Sequence, residues 1–387
     1  MAVENWVSRQ LDELTEFRRD LHRNPELLYD VERTASKVAD ALRAAGVDEV
    51  VTGMGRTGVV GVIRGNTDTR GRMIGLRADM DALPITEQTG APWTSTKPGV
   101  MHACGHDGHT TMLLGAARQL AESRAFDGTV VVIFQPAEEG GAGAKAMIDD
   151  GLFERFPVQE IYGLHNLPNL PLGQFAITPG ATMASVDEIR ISVDGIGGHA
   201  AFPHHTVDPI TVTAALIQAV QTIVSRNVDP LKSAVVSITT INGGDAFNVI
   251  PPAITLTGTV RTLDEGIRDL VEKRLRKAVA GIADAFDAKA ELKYVRSYPV
   301  TVNNAAKLEN AVRAAAEVVG AANVKTDLPP TMGGEDFAFM LEAVPGAFIF
   351  AGNGPSANLH HPQYDFNDEL IPFGCSYWTT LVRQLLG

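Results

Sequence analysis

From residue 58 to residue 164 the chain alternates short β-branched or apolar runs with helical stretches, and this alternation most narrows what it can fold into. Gly58 to Ile63, Met73 to Arg77, Thr129 to Phe134 and Glu160 to Leu164 have the length and composition of strands, with Thr110 to Glu122 and Gly143 to Asp150 helical between them. Apolar strands joined through helices predict an α/β domain around a largely parallel sheet covered on both faces. Upstream, Trp6, Leu11, Leu14, Phe17 and Leu21, then Val38, Leu42 and Ala45, predict two helices separated by a turn at Asn24 and Pro25.

Near residue 185 the rhythm changes. Ser185 to Val193 alternates apolar and polar residues, Asp208 to Ser225 is an apolar-striped helix with Pro209 at its start, and Ser233 to Ile241 and Ala253 to Thr262 are strands. A charged amphipathic helix at Asp264 to Phe286 and a strand at Ala290 to Tyr298 complete a β-α-β-β-α-β order, the ferredoxin-like unit. Strand and helix alternation then resumes with Leu308 to Val319, Ala347 to Ala351 and a helix from Phe373. The reading is therefore an α+β unit at 185–299 inserted into an α/β domain made of 1–184 and 300–387. The 387 residues, 45% of them hydrophobic, suit two cores at roughly 150 residues per domain.

Charge narrows the partners. With 33 Lys+Arg against 46 Asp+Glu the net charge is −13, so no bulk basic surface exists to neutralise phosphates, and nucleic acid is not expected. Cys104 and Cys375 are too few for a disulfide scaffold, and neither an 18-residue apolar run nor a charged-then-apolar leader occurs. The expectation is a soluble cytoplasmic protein without a membrane partner.

Nine of the ten histidines fall in four clusters: His102, His106 and His109; His165; His199, His204 and His205; His360 and His361. A lone histidine is more often structural, but these lie beside carboxylates at the C-terminal ends of the expected strands. Asp79 and Asp81 follow the Met73 strand, Glu138 and Glu139 follow the Thr129 strand, His165 closes the Glu160 strand, and His360 lies in the loops after the Ala347 strand. In open α/β sheets that edge is where ligands bind. Imidazole, carboxylate and thiolate together suit Zn, Mn, Co or Ni better than Mg or Ca.

Two segments are the most informative. In His102-Ala-Cys-Gly-His106-Asp-Gly-His109 the glycines at 105 and 108 let the backbone fold closely, so that Cys104 and His106 can face one centre, where the thiol would ionise on a metal. In Glu138-Glu139 consecutive side chains diverge, so one carboxylate can ligate while its neighbour reaches a water as general base. The bland readings, a buried inert cysteine and two solvated glutamates, fit poorly with the histidines alongside and the buried run that precedes the glutamates.

These segments resemble a known family. Leu76-Arg-Ala-Asp-Met-Asp-Ala-Leu-Pro84, Met101-His-Ala-Cys-Gly-His-Asp-Gly-His109, Gln135-Pro-Ala-Glu-Glu-Gly140, Gly198-His-Ala-Ala-Phe-Pro-His204, Asn248-Val-Ile-Pro251, Gly334-Glu-Asp-Phe337 and Leu359-His-His-Pro362 are similar to the hippurate hydrolase branch of the aminoacylase and carboxypeptidase superfamily (peptidase family M-twenty, subfamily D). That branch includes N-acyl-L-amino-acid amidohydrolases and plant enzymes that cleave indole-acetyl-amino-acid conjugates. The likeness runs from Leu21-His-Arg-Asn-Pro-Glu26 to the C-terminus.

The resemblance implies a zinc-peptidase-like catalytic domain with a mostly parallel sheet and an inserted lid and dimerisation domain. It implies two divalent transition-metal ions bridged by the Cys104 thiolate, one completed by Glu139 and His360, the other by His106 and His165. Glu138 would be the general base toward a metal-bound water, and Asp81 would orient a ligand from behind. Much of the superfamily has His-x-Asp where this chain has Asp79-Met-Asp81 and a bridging Asp where it has Cys104, which leaves the role of Asp79 open; His361 stands in reserve to His360. In the inserted unit His199 would stabilise the oxyanion, and Asn248 and Arg261 would hold the free carboxylate of an N-acyl amino acid. His204 and His205 receive no role. The family suggests a homodimer or higher homo-oligomer. Rival readings are a carboxypeptidase or dipeptidase with the same site, a thiol hydrolase with Cys104 as nucleophile, and a metal-binding protein without turnover.

Overall fold

The computed structural model describes residues 5–387. Helices α1 (Asn5–Arg23) and α2 (Glu32–Ala44) precede strands β1 (Glu49–Met54), β2 (Gly58–Arg64) and β3 (Met73–Asp79). Next come α3 (His106–Ser123), β4 (Thr129–Gln135), the short α4 (Gly143–Asp149) and α5 (Leu152–Arg155), then β5 (Glu160–Pro168), β6 (Phe175–Ala176) and β7 (Gly180–Met183). The middle of the chain forms β8 (Val186–Asp194), β9 (Gly198–His199), α6 (Pro209–Asn227), β10 (Ala234–Asn242), β11 (Val249–Ile250), β12 (Ala253–Thr262), α7 (Glu265–Ala285) and β13 (Lys289–Tyr298). The last part adds β14 (Thr301–Asn303), α8 (Ala305–Val319), β15 (Val324–Lys325), α9 (Phe337–Ala343), β16 (Gly346–Gly354) and α10 (Ile371–Leu386).

The chain divides into two units. The first takes Met1–Thr182, Val302–Pro329 and Asp336–Gly387. Its eight-stranded sheet runs β1-β2-β4-β3-β5-β16-β6-β15. The central pairs β3 with β4, β3 with β5 and β16 with β5 are parallel, whereas β1 with β2, β2 with β4 and β16 with β6 are antiparallel. Every residue of β4 and β16 is buried, which their near-continuous apolar sequences allow, because helices cover both sheet faces. The core joins Leu14 of α1, Val38 and Leu42 of α2, Met112 to Ala117 of α3 and Trp378, Leu381 and Leu385 of α10 to the strands.

One buried carboxylate ties this sheet to its flank. Glu160, at the start of β5, accepts from Tyr162 Oη at 2.7 Å, pairs with Lys307 Nζ at 2.8 Å and contacts Arg72. Burial disfavours its charge, but Lys307 and Tyr162 outweigh that and hold the carboxyl below its ordinary value. A depressed folded value gives stability that is complete at neutral pH and is lost as pH falls through that value. Glu160→Gln is therefore expected to cost about 1–2 kcal/mol at pH 7. The gap between its urea midpoint and that of the wild type should close below about pH 4; a gap of the same size at pH 3 would contradict this account.

The second unit comprises Met183–Thr301 with Pro330–Glu335, the latter attached by Ala184 N donating to Gly333 O at 2.8 Å. Its sheet runs β10-β12-β8-β13, antiparallel throughout. Ile189, Ile191 and Val193 of β8 face one side of that sheet and pack with Val212, Leu216, Val220 and Ile223 of α6 and Val271, Leu275 and Val279 of α7. Those helical positions recur at three and four residues, so each helix buries one stripe. Asp208 and Asp264 cap the two helices by accepting from Ile210 N and Ile267 N. A separate ribbon pairs β9 with β11 and sets Val249 opposite His199.

Candidate metal centre

In the first unit the ends of β3, β4 and β5 and the loop after β16 supply the polar residues. Asp81, two residues past β3, organises them. Its carboxylate accepts from Glu138 N at 2.9 Å and Glu139 N at 3.1 Å, and its backbone carbonyl lies 2.8 Å from His106 Nδ1. One residue thereby fixes the main chain of the paired glutamates and the ring of His106. With Nδ1 engaged by a carbonyl, Nε2 of His106 is the nitrogen left for a metal, and that buried atom has no hydrogen-bond partner among the described residues. His165 is arranged alike: Nδ1 is 2.7 Å from Asn166 O, and Nε2 is 3.4 Å from Cys104 Sγ.

Gly105 makes the approach of Cys104 and His106 possible. It sits at φ +96°, immediately before α3, and a Cβ there would come within 2.4 Å of Asn166 Oδ1 and 2.6 Å of Tyr364 Oη. Gly108, one turn on, faces the ring of Phe366, where a Cβ would lie 2.1 Å away. His360 takes φ +64°, and its N–H donates to Ala103 O at 2.8 Å, which places its ring beside Glu139, with Nε2 to Oε1 at 3.3 Å.

Two groups result that share the thiol. Ligand-capable atoms of Cys104, His106 and His165 lie within 4.8 Å of one another, as do those of Cys104, Glu139 and His360. Glu138 joins His106 and Glu139 in a third such group, and its Oε1 accepts from Asp336 N at 3.4 Å. Burial pushes the Cys104 thiol well up, and Glu139, Glu138 and Asp79 push it further. Burial opposes a charge on His106, yet Asp79 and Asp81 lift it to about 10. A buried group of carboxylates that holds a thiol protonated and draws a proton onto an imidazole lacks positive charge. The donor set of one thiolate, three imidazoles and a carboxylate fits a pair of transition-metal ions.

Residues 75–384 match Peptidase family M20/M25/M40. The chain belongs to this family. A hippurate hydrolase of Campylobacter jejuni is 46% identical over 375 residues, 97% of each chain. An N-acetylcysteine deacetylase of Bacillus subtilis is 40% identical over 374 residues, 96% of this chain and 97% of the relative. A crystal structure of a dinuclear metal-binding M20 peptidase from Bacillus subtilis superposes with a TM-score of 0.86 at 36% identity, covering 98% of this chain and 99% of the other. As an M20 member the chain is a metal-dependent amidohydrolase.

Other residues of this M20 centre carried no assigned role in the sequence. Arg77, fully buried in β3, donates through Nη1 to Asp79 Oδ2 at 2.7 Å, through Nε to Gln135 Oε1 at 2.8 Å and through Nη2 to Asp336 Oδ1 at 3.1 Å. Asp79 also lies 2.7 Å from His109 Nδ1, so both its oxygens are engaged, and it stands 3.8 Å from His106 Nε2 as a charge neighbour. His109 Nε2 is 2.7 Å from Asn166 Oδ1, and Asn166 Nδ2 donates to Tyr364 Oη at 2.6 Å. An arginine inside an otherwise apolar strand was the available signal, since a buried guanidinium requires partners.

In the second unit His199 is exposed on β9, and its Nδ1 accepts from Ala201 N at 3.1 Å. Asn248 precedes β11, and its carbonyl accepts from Ala200 N at 3.0 Å, so the ribbon keeps these two residues adjacent. Arg261 on β12 is half-buried and donates to Thr259 Oγ1 and Val260 O; burial holds its pKa down, and no ion-pair partner contacts it among the described residues. The rings of His204 and His205 lie against each other, tilted by 45° with centroids 4.1 Å apart. The exposed His361 accepts from Gln363 N through Nδ1 at 3.1 Å.

Proposed function

We propose that this chain hydrolyses the amide of N-acyl-L-amino acids, hippurate-like or N-acetylated, into a carboxylic acid and a free amino acid, with Glu138 as general base. The observation that carries the reading is the pinning of both Glu138 and Glu139 by Asp81 beside two donor groups that share Cys104. Cys104, His106 and His165 would hold one divalent ion, and Cys104, Glu139 and His360 the other. When bound, Zn, Mn, Co or Ni ions polarise the amide carbonyl and acidify water. Glu138, 6% exposed, takes the proton of the attacking water and returns it to the departing amine. Asp336 N–H steadies the Glu138 carboxylate.

His199 would stabilise the oxyanion, and Asn248 and Arg261 would take the substrate carboxylate, a task suited to a guanidinium without an ion-pair partner. In the same reading the second unit mediates homodimerisation, supported by the edge strand β10 and by the exposed Ile241 and Phe247. Both cysteines are buried and no disulfide joins them, as suits a reducing cytoplasm.

The test is elemental analysis with a panel of N-acetyl, N-benzoyl and dipeptide substrates, assayed for released amino acid before and after chelation. Expected are up to two metal ions per chain, activity lost on chelation and restored by metal, and faster turnover of N-acyl amino acids than of dipeptides. Preference for dipeptides would make the chain a peptidase with the same centre. Undiminished hydrolysis by metal-free protein would overturn the reading.

A further inference from the structure

Behind the centre, on the side of α1, lies a group of buried charges that the reaction does not use. Arg18 and His22 are four residues apart on one helical face, and both are fully buried. His22 Nδ1 is 2.8 Å from Asp107 Oδ2, and Nε2 is 3.3 Å from Glu87 Oε1. Arg18 Nη1 is 3.4 Å from the same Asp107 oxygen, while Nε donates to Asp368 at 2.7 Å. Burial opposes a charge on His22, yet Asp107 and Glu87 raise it to about 9, so both ring nitrogens donate at neutral pH.

The partners of His22 sit where the centre needs support. Asp107 directly follows His106 in the first turn of α3 and ties that turn to α1 through His22 and Arg18. Glu87 also accepts from Ser95 N at 2.7 Å and Thr89 Oγ1, which orders the irregular segment 84–100. The next residue, Gln88, donates its N–H to Pro362 O at 2.8 Å, just beyond His360 and His361. One imidazole thus touches the supports of both donor groups.

We infer that His22 is a positioning residue for the metal centre: by clamping Asp107 and Glu87 it fixes the start of α3 and the loop of His360, and thereby sets metal affinity. This rests on the two-metal reading above. Removing the clamp leaves Asp107 buried with only the longer Arg18 contact, so the first turn of α3 shifts, and the Nε2 of His106 and the thiol of Cys104 move with it.

The test titrates metal-free protein with cobalt(II), following the thiolate-to-cobalt absorption band, and measures the thermal midpoint of the metal-free protein separately. His22→Phe is expected to weaken cobalt affinity by about 10-fold to 100-fold. Leu14→Ala, a cavity variant on the same helix facing α3 at Gly115, should lower the midpoint while affinity stays within about threefold. Should His22→Phe not fold, Glu87→Ala, which removes one side of the clamp, is expected to weaken binding by about 3-fold to 10-fold. Wild-type affinity in the folded variants alongside a lowered midpoint would overturn the inference and leave the centre standing. A wild-type protein that takes up no cobalt would overturn both.

Discussion

Glu138→Gln is expected to lower kcat by about 10^3-fold to 10^4-fold while metal content, KM and thermal midpoint stay near wild type. The amide keeps the size of the carboxylate and can still accept from Asp336 N–H, so the loop should hold its place. What disappears is the capacity to take a proton from water and return it to the amine. Glu138 is a neighbour of Glu139, which belongs to the group with Cys104 and His360, and loss of activity through loss of metal is therefore the competing explanation. Elemental analysis of the variant separates the two: two ions with little turnover supports the base, and depleted metal would assign Glu138 to ligation instead. Near-wild-type turnover with full occupancy would remove Glu138 from the mechanism.

Cys104→Ala is expected to abolish measurable turnover and to leave fewer than one ion per chain after dialysis. The thiol is common to both donor groups, so its removal weakens both sites together, whereas His360→Ala should affect chiefly the group of Glu139. The size of the effect follows from charge. Burial and three carboxylates keep the thiol protonated until a cation arrives, and a thiol so placed is a poor free nucleophile. The histidine against it, His165, is held well below its usual value by burial and by His109, which makes it a weak base. If Cys104 were the nucleophile of a thiol hydrolase, Cys104→Ala would lose turnover yet keep its metal, and alkylation would inactivate metal-free protein.

Much of this architecture was legible because it is local. The runs Thr129 to Phe134 and Glu160 to Leu164 read as strands and are β4 and β5, and Asp208 to Ser225 read as an apolar-striped helix and is α6, whose buried stripe includes Val212, Leu216 and Val220. The candidate donors stood out in the sequence because they cluster within a few residues of strand ends, and ligand-capable atoms of several of them do lie close together. What escaped depends on adjacency across long stretches of chain. Arg77 meets Asp336 across 259 positions, and His22 meets Asp107 across 85. No periodicity encodes such pairs. The double use of Asp81, side chain to two amides and carbonyl to an imidazole, involves backbone groups that every residue carries and that sequence does not distinguish. The ribbon holding His199 beside Asn248 is two residues long on each side, too short for a pattern of its own.

The sheet order also bears on how the protein is made. β5 carries His165 and lies between β3 and β16, yet β16 leaves the ribosome only after the whole second unit has been synthesised. Until then β5, almost wholly buried in the finished fold, has one bare edge. Such edges invite pairing with other nascent chains. Its parallel partner β3 is already present, so His106 and His165, two of the three candidate ligand histidines, can be in place while the strand that leads to His360 does not yet exist. The order of synthesis thus separates the two halves of the centre in time, and swift folding of the inserted unit shortens the interval in which β5 stands unguarded.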